Sequence, residues 1–242
     1  MGNRIISVSH ITKEIRVGKS KNKIKLIDDI SFEINKGEFL SIVGPSGSGK
    51  STLLNIISGL SIPTTGTVNL ESQDIYKLSP TKLARLRREK IGFIFQQYNL
   101  LSALPVFENM TLQLRLSHQK IDKDQIEQLL KHINFEPKST ARIESLSGGE
   151  KQKVAIARVL ATDCDIIFAD EPTGALDSVS REKVFSMLRE LTQLGKTVIM
   201  VTHDIEMASR TDRAVIIRDG KIQNSLSNPT ETLILHEMGG DM

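Results

Sequence analysis

The stretch GPSGSGKST, residues 44–52, constrains this chain more than any other. It follows a strand-like run, EFLSIV, and leads into a helical one, STLLNIISG. The pattern G-x-x-x-x-G-K-[ST] between a strand and a helix is that of a phosphate-binding loop, or P-loop. Glycines let successive backbone N–H groups curl around phosphate oxygens, and the helix N-terminus adds positive potential. Gly44, Pro45, Ser46, Gly47, Ser48, Gly49, Lys50, Ser51 and Thr52 are therefore expected to cradle a triphosphate. In that reading Lys50 neutralises the β- and γ-phosphates and the Ser51 hydroxyl ligates Mg²⁺.

The flanking sequence predicts the fold around this loop. RIISVSHITKEI and IKLIDDISFEINKGEFLSIVG alternate β-branched residues and break at Lys36-Gly37, which predicts an N-terminal antiparallel β subdomain. Between them KEIRVGKSKNKIK reads as a basic, solvated hairpin tip. From Ser79 to about Asp163 the apolar residues recur three and four apart, as in SPTKLARLRREK, PVFENMTLQLRL and DKDQIEQLLKHI. That spacing predicts an inserted α-helical subdomain over 79–163. DIIFAD, SREKVFSMLRELTQLG and TVIMVTH then alternate strand, helix and strand, and RAVIIRDGKIQ turns as a hairpin at Asp219-Gly220. Buried strands alternating with helices predict an α/β P-loop NTPase core with a mostly parallel sheet. Residues 1–242 read as one domain, with a tail from Ser225 to Met242 that carries no motif and no assigned role.

Composition narrows the partners. With 32 basic and 29 acidic side chains the net charge is +3, so no nucleic-acid partner is expected. Cys164 is the single cysteine, which rules out an internal disulfide framework and fits a reducing compartment. The N-terminal run lacks the apolar core of a secretion signal, and no window approaches the roughly 18 apolar residues of a membrane span. A membrane role is expected to come through a partner. His10, His118, His132 and His236 show no ligand spacing.

Two further motifs carry chemistry. DIIFADEP puts Asp170 at the end of an apolar strand, where open α/β sheets bind ligands. Asp170 is expected to hold Mg²⁺ through water, and Glu171 to orient and deprotonate an attacking water. In LSGGEKQKVAIARVL, Ser147 and Glu150 form a capping box. The box does not explain Gly148 and Gly149, each of which costs up to about 1 kcal/mol in a helix. Residues without side chains at a helix start admit an anion, so this is a second candidate phosphate site. Two such sites could serve one nucleotide if two copies of the chain faced each other head to tail.

LSGGE, together with the P-loop, resembles the signature motif of the ATP-binding-cassette (ABC) ATPases. The resemblance covers about residues 4–225 and implies ATP and Mg²⁺, with each ATP held between the P-loop of one subunit and Ser147, Gly148, Gly149 and Glu150 of its partner. FIFQQYNLL resembles the Q-loop, implying that Gln96 senses Mg²⁺ and the attacking water. TGALDS resembles the D-loop, implying that Asp177 reaches across a homodimer, and TVIMVTHD ends in His203, similar to the switch histidine that touches the γ-phosphate. Within the family, IGFIFQQYNLL and DEPTGALD resemble the branch of macrolide-exporter, lipoprotein-release and antimicrobial-peptide-transporter ATPases. Such ATPases work with a permease, which implies a place on the cytoplasmic face of the membrane, and YNLLSALPVF is the expected docking segment.

Three departures from the family pattern stand out, the motif-free tail from Ser225 to Met242 among them. The residue that usually stacks on adenine is Ile15, and the usual QQR reads Lys151-Gln152-Lys153. The alternative function is a non-transport ABC ATPase that drives a membrane complex or cell-wall enzymes. DNA-repair relatives need long coiled-coil arms, and the 95 residues between Ser51 and Ser147 hold no sustained heptads. Translation-associated relatives usually carry two cassettes.

Overall fold

The computed structural model describes residues 4–16, 23–174 and 176–239. The tip of the basic N-terminal loop, residues 17–22, lies outside the described residues, as do Ala175 of TGALDS and the last three residues of the tail.

Strands β1 (Arg4–Arg16), β2 (Lys23–Asn35), β4 (Thr65–Leu70) and β5 (Gln73–Asp74) form the predicted antiparallel sheet, in the order β2-β1-β4-β5. The second sheet contains β3 (Phe39–Val43), β6 (Ile91–Phe95), β7 (Ile166–Asp170), β8 (Thr197–Thr202), β9 (Arg213–Arg218) and β10 (Lys221–Ser227), ordered β10-β9-β3-β8-β7-β6. Its inner ladders are parallel and only β9–β10 is antiparallel. FLSIV and TVIMVT are buried at every residue, as strands covered on both faces must be. The mostly parallel core is as expected.

Helix α1 (Lys50–Ile57) lies between the sheets, where Leu53, Ile56 and Ile57 join an apolar cluster with Ile6 and Ile27 of one sheet and Ile42 and Phe168 of the other. Helix α6 (Ser178–Gln193) covers the opposite face through Val184, Phe185 and Leu188. Helices α3 (Val106–Leu116), α4 (Lys123–His132) and α5 (Gly148–Leu160) build a third cluster around Met110, Leu130 and Val154.

The helical reading of 79–163 needs one correction. Helix α2 (Pro80–Lys90) is followed by β6, which pairs in parallel with β7 from Ile91↔Ile166 to Phe95↔Asp170. The segment therefore contains a core strand, and the helices of the insertion are α3, α4 and the start of α5. A five-residue apolar run, IGFIF, is too short for periodicity to distinguish strand from helix.

The tail also acquires structure. Strand β10 runs to Ser227, and α8 (Glu231–Glu237) follows, capped by Thr230, whose hydroxyl oxygen accepts from the Leu233 N–H. Ile234 is fully buried beside Val43, Ala208, Ala214 and Ile216, close to the short helix α7 (Ile205–Ser209). The hairpin turn falls at Asp219 (φ 50°) and Gly220 (φ 74°), the left-handed pair of a tight two-residue turn. Gly220 joins the two sheets to the P-loop: its N–H donates to the Ser48 carbonyl (3.1 Å) and its carbonyl accepts from the Asp28 N–H (2.9 Å).

Candidate functional site

The P-loop leaves β3 after Val43 and enters α1 at Lys50. Two of its glycines have no room for a side chain: a Cβ on Gly44 would lie 2.0 Å from the Ile217 carbonyl oxygen, and one on Gly49 (φ 100°) 2.6 Å from that of Leu26. Both obstacles are backbone, so neither can give way. Lys50 is buried, and its ammonium donates to the carbonyls of Gly44 and Pro45, both at 2.9 Å. Burial pushes the Lys50 pKa below the ordinary lysine value, against the opposing pull of Glu171 and then Asp170. Ser48 Oγ is buried without a hydrogen-bond partner among the described residues.

Asp170 ends β7 beside the loop. The Ser51 hydroxyl donates to Asp170 Oδ1 at 2.9 Å, across 119 residues of sequence. Burial raises the Asp170 pKa, the Ser51 bond opposes it, the Glu171 charge adds to it and Lys50 reduces it. Together these oxygens, the P-loop amides and the ammonium suit an anionic phosphate with a hard cation. Among the described residues no group of three or more His, Cys, Asp or Glu could hold a metal unaided. A raised carboxylate pKa has a consequence for stability. The folded chain holds the Asp170 proton more tightly than the unfolded one, so ionised Asp170 destabilises the fold above its raised pKa. Asp170→Asn should therefore melt at higher temperature than the parent chain at neutral pH. That difference should shrink as pH falls through the raised pKa and vanish below the ordinary aspartate value, as followed by calorimetry between pH 3 and 8.

Glu171 follows with φ 47°, in the left-handed region that a residue of this size seldom adopts, and its N–H donates to the Val201 carbonyl at 2.9 Å. Its side chain is 14% exposed. Oε2 lies 2.9 Å from His203 Nδ1, within ion-pair range of a protonated ring, but the angles are not those of a hydrogen bond and Oε2 has no such partner among the described residues. The structure thus brings together Glu171 and His203, read from separate motifs. It also brings Gln96 close, since a Cβ on Gly174 would lie 3.4 Å from Gln96 Nε2.

The signature turn has the expected capping box. Ser147 Oγ accepts from the Glu150 N–H (3.3 Å), and Glu150 Oε2 accepts from the Ser147 N–H (2.7 Å). Gly148 and Gly149 have neighbours the sequence did not suggest: a Cβ on each would lie 3.2 Å from Tyr98 Oη and 3.3 Å from Ser180 Oγ. Asp177 caps α6, accepting from the Ser180 N–H (2.9 Å) and hydroxyl (2.8 Å), and these bonds lower its pKa. Among the described residues no hydrogen bond or ion pair joins 147–150 or Asp177 to the P-loop.

Sequence reading missed one connection. Arg181 of α6 pairs with Asp204, 3.0 Å from Nη1 to Oδ2, and Asp204 caps α7 immediately after His203. A carboxylate before a short helix is legible as a cap, but its arginine lies 23 residues away. The expected docking segment is also divided: Leu101 is exposed, whereas Val106 is fully buried and Leu100 packs into the helical cluster. Beside it lies an open groove of about 460 Å³ between α2, β6 and α3, lined by Leu60, Arg87, Phe93, Phe95 and Leu116. No helix among the described residues is long and apolar enough to cross a membrane.

Comparison with known proteins gives consistent likenesses. The ABC transporter family profile matches residues 27–174. The chain is 42% identical over 224 residues to the Macrolide export ATP-binding/permease protein MacB of Bradyrhizobium diazoefficiens, covering 92% of this chain and 34% of that protein. It therefore spans about a third of the length of that relative. It is 41% identical to the uncharacterized ABC transporter ATP-binding protein YvrO of Bacillus subtilis, covering 90% of this chain and 95% of YvrO. Among solved structures, the dimeric ATP-binding cassette MJ0796 in a post-hydrolysis state with ADP and Pi superposes with a TM-score of 0.86 at 38% identity, over 93% of this chain and all of that one. Fold, site and these likenesses agree: the chain belongs to the ABC transporter family, as an ATPase cassette.

Proposed function

We propose that two copies of this chain close head to tail around two ATP molecules and drive a membrane permease, with export or mechanical coupling for peptides, lipoproteins or antimicrobials as the outcome. The observation that carries this reading is a divided site. The P-loop, Ser51, Asp170, Glu171, Gln96 and His203 lie toward one sheet edge, while among the described residues the signature turn has no bond to them. A second copy would supply the missing signature and Asp177. The dimeric state of the MJ0796 cassette with ADP and Pi supports an assembly of two copies.

In this reading the P-loop amides and Lys50 bind the phosphates, and Ser51 and Asp170 hold Mg²⁺, which supplies charge neutralisation between them. Glu171 takes a proton from water, and His203 and Gln96 orient the γ-phosphate and the water. The permease engages the apolar, arginine-edged groove at α2, β6 and α3, placing the cassette on the cytoplasmic face of the membrane. MacB, an ATP-binding/permease protein, supports this partner class.

Ile15 gives a test of nucleotide contacts. It is 39% exposed on β1 and pairs with Ile24, itself exposed, so an aliphatic surface stands where an aromatic usually stacks. Base stacking on an aromatic is worth about 1–3 kcal/mol. Ile15→Tyr should tighten ATP binding about tenfold and sharpen its preference over GTP, measured by nucleotide titration; equal affinities would remove Ile15 from the base site. For the partner, tagged Glu171→Gln held with Mg-ATP should co-purify an integral-membrane permease from native membranes. Recovery of only ribosomal or DNA-bound proteins would overturn the transporter reading.

A further inference from the structure

Two consecutive residues of the turn after Gln96, Tyr98 (φ 61°) and Asn99 (φ 46°), are left-handed. Asparagine tolerates that region, but a tyrosine stays there only when its surroundings hold it. The holding group is α5. Arg158 Nη1 donates to the Asn99 carbonyl at 2.7 Å and Nη2 to the Tyr98 carbonyl at 3.2 Å. At the other end of the same helix, Tyr98 Oη lies over the signature turn, 3.2 Å from where a Cβ on Gly148 would stand. Gly148 and Arg158 are about 15 Å apart along the helix axis, so the turn is bonded near one end of α5 and rests against the other.

Arg158 is partly buried and pairs with no carboxylate among the described residues, so its charge rests on two carbonyl dipoles. Burial alone lowers its pKa from the usual arginine value. A planar fork with two parallel donors suits this task, and a lysine ammonium does not reproduce it.

We propose that Arg158 is a positioning residue for ATP hydrolysis: it locks the Tyr98–Asn99 turn, and Gln96 with it, to the signature helix. Gln96 and the helix that meets the partner's nucleotide then move as one piece. The inference rests on the ATPase reading and needs no permease, although Arg158 also lines the groove, so an occupant there would touch the latch.

The test is steady-state ATPase of the full chain at saturating protein concentration, with melting temperature measured alongside. Arg158→Met should lower kcat about tenfold with KM for ATP within about twofold, and Arg158→Lys should recover only part of the loss. Asn99→Val, whose branched side chain disfavours that backbone, should reproduce the Arg158→Met loss, and the two combined should be no worse than either alone. Parent-like kcat in Arg158→Met, full rescue by lysine, or additive losses would overturn the latch. An inactive parent chain would instead overturn the ATPase reading, so the two failures are distinguishable.

Discussion

Replacing Glu171 by Gln should lower turnover about a thousandfold, within the range that a positioned general base contributes, while leaving ATP affinity within about threefold. The substitution keeps the size of the side chain and removes only its capacity to take a proton. Among the described residues Glu171 Oε2 has no hydrogen-bond partner, so little of the resting structure depends on it. Oε2 lies 2.9 Å from His203, itself 68% exposed. A mostly covered carboxylate, one oxygen of which has no donor among the described residues, facing a histidine and close to Lys50 and Asp170, is arranged to receive a proton rather than to brace the fold. Phosphate release under multiple turnover and nucleotide titration separate the two effects. Near-parental turnover would remove Glu171 as the base.

Lys50→Ala should fail at an earlier step, weakening ATP binding between tenfold and roughly a hundredfold, the equivalent of about 1.5–3 kcal/mol for a charge-assisted hydrogen bond. The ammonium is held by the Gly44 and Pro45 carbonyls and is desolvated enough for its pKa to fall. Its removal relieves that desolvation but leaves two carbonyls unpaired, so the melting temperature should move by no more than about 2–4 °C. Calorimetric titration with ATP checks the affinity. Parental affinity would mean that the loop binds phosphate through its amides alone.

The parts legible in the sequence are those whose physics is local. The P-loop follows from glycine spacing and its strand-helix flanks, and Gly44 and Gly49 press against backbone as that pattern requires. The Ser147–Glu150 capping box is a contact between residues three apart and was readable for that reason. Strand β6 was not, because five apolar residues carry no period, and its identity is fixed only by the ladder to β7. Helix α8 was missed because one buried residue, Ile234, does its anchoring.

Long-range pairs were hidden more completely. Nothing in the spacing of Arg158 and Tyr98, or of Arg181 and Asp204, announces that the fold joins them. The glycines of the signature are instructive in the same way. Their place beside an anion was inferred from missing side chains, and the fold adds a second demand for smallness, from Tyr98 and Ser180. Ser51 and Asp170 lie between these cases: each motif predicted a ligand separately, and the 2.9 Å bond between them is what the P-loop fold makes of both.

The central claim is that the nucleotide site is completed by a second copy. Sedimentation of the Glu171→Gln chain with and without ATP tests it most directly, with Ser147→Arg added in a second protein. Glu171→Gln should be a monomer alone and a dimer with ATP, whereas Glu171→Gln with Ser147→Arg should bind ATP and remain a monomer. A Glu171→Gln chain that stays monomeric when saturated with ATP, or a Ser147→Arg chain that dimerises equally well, would contradict the account.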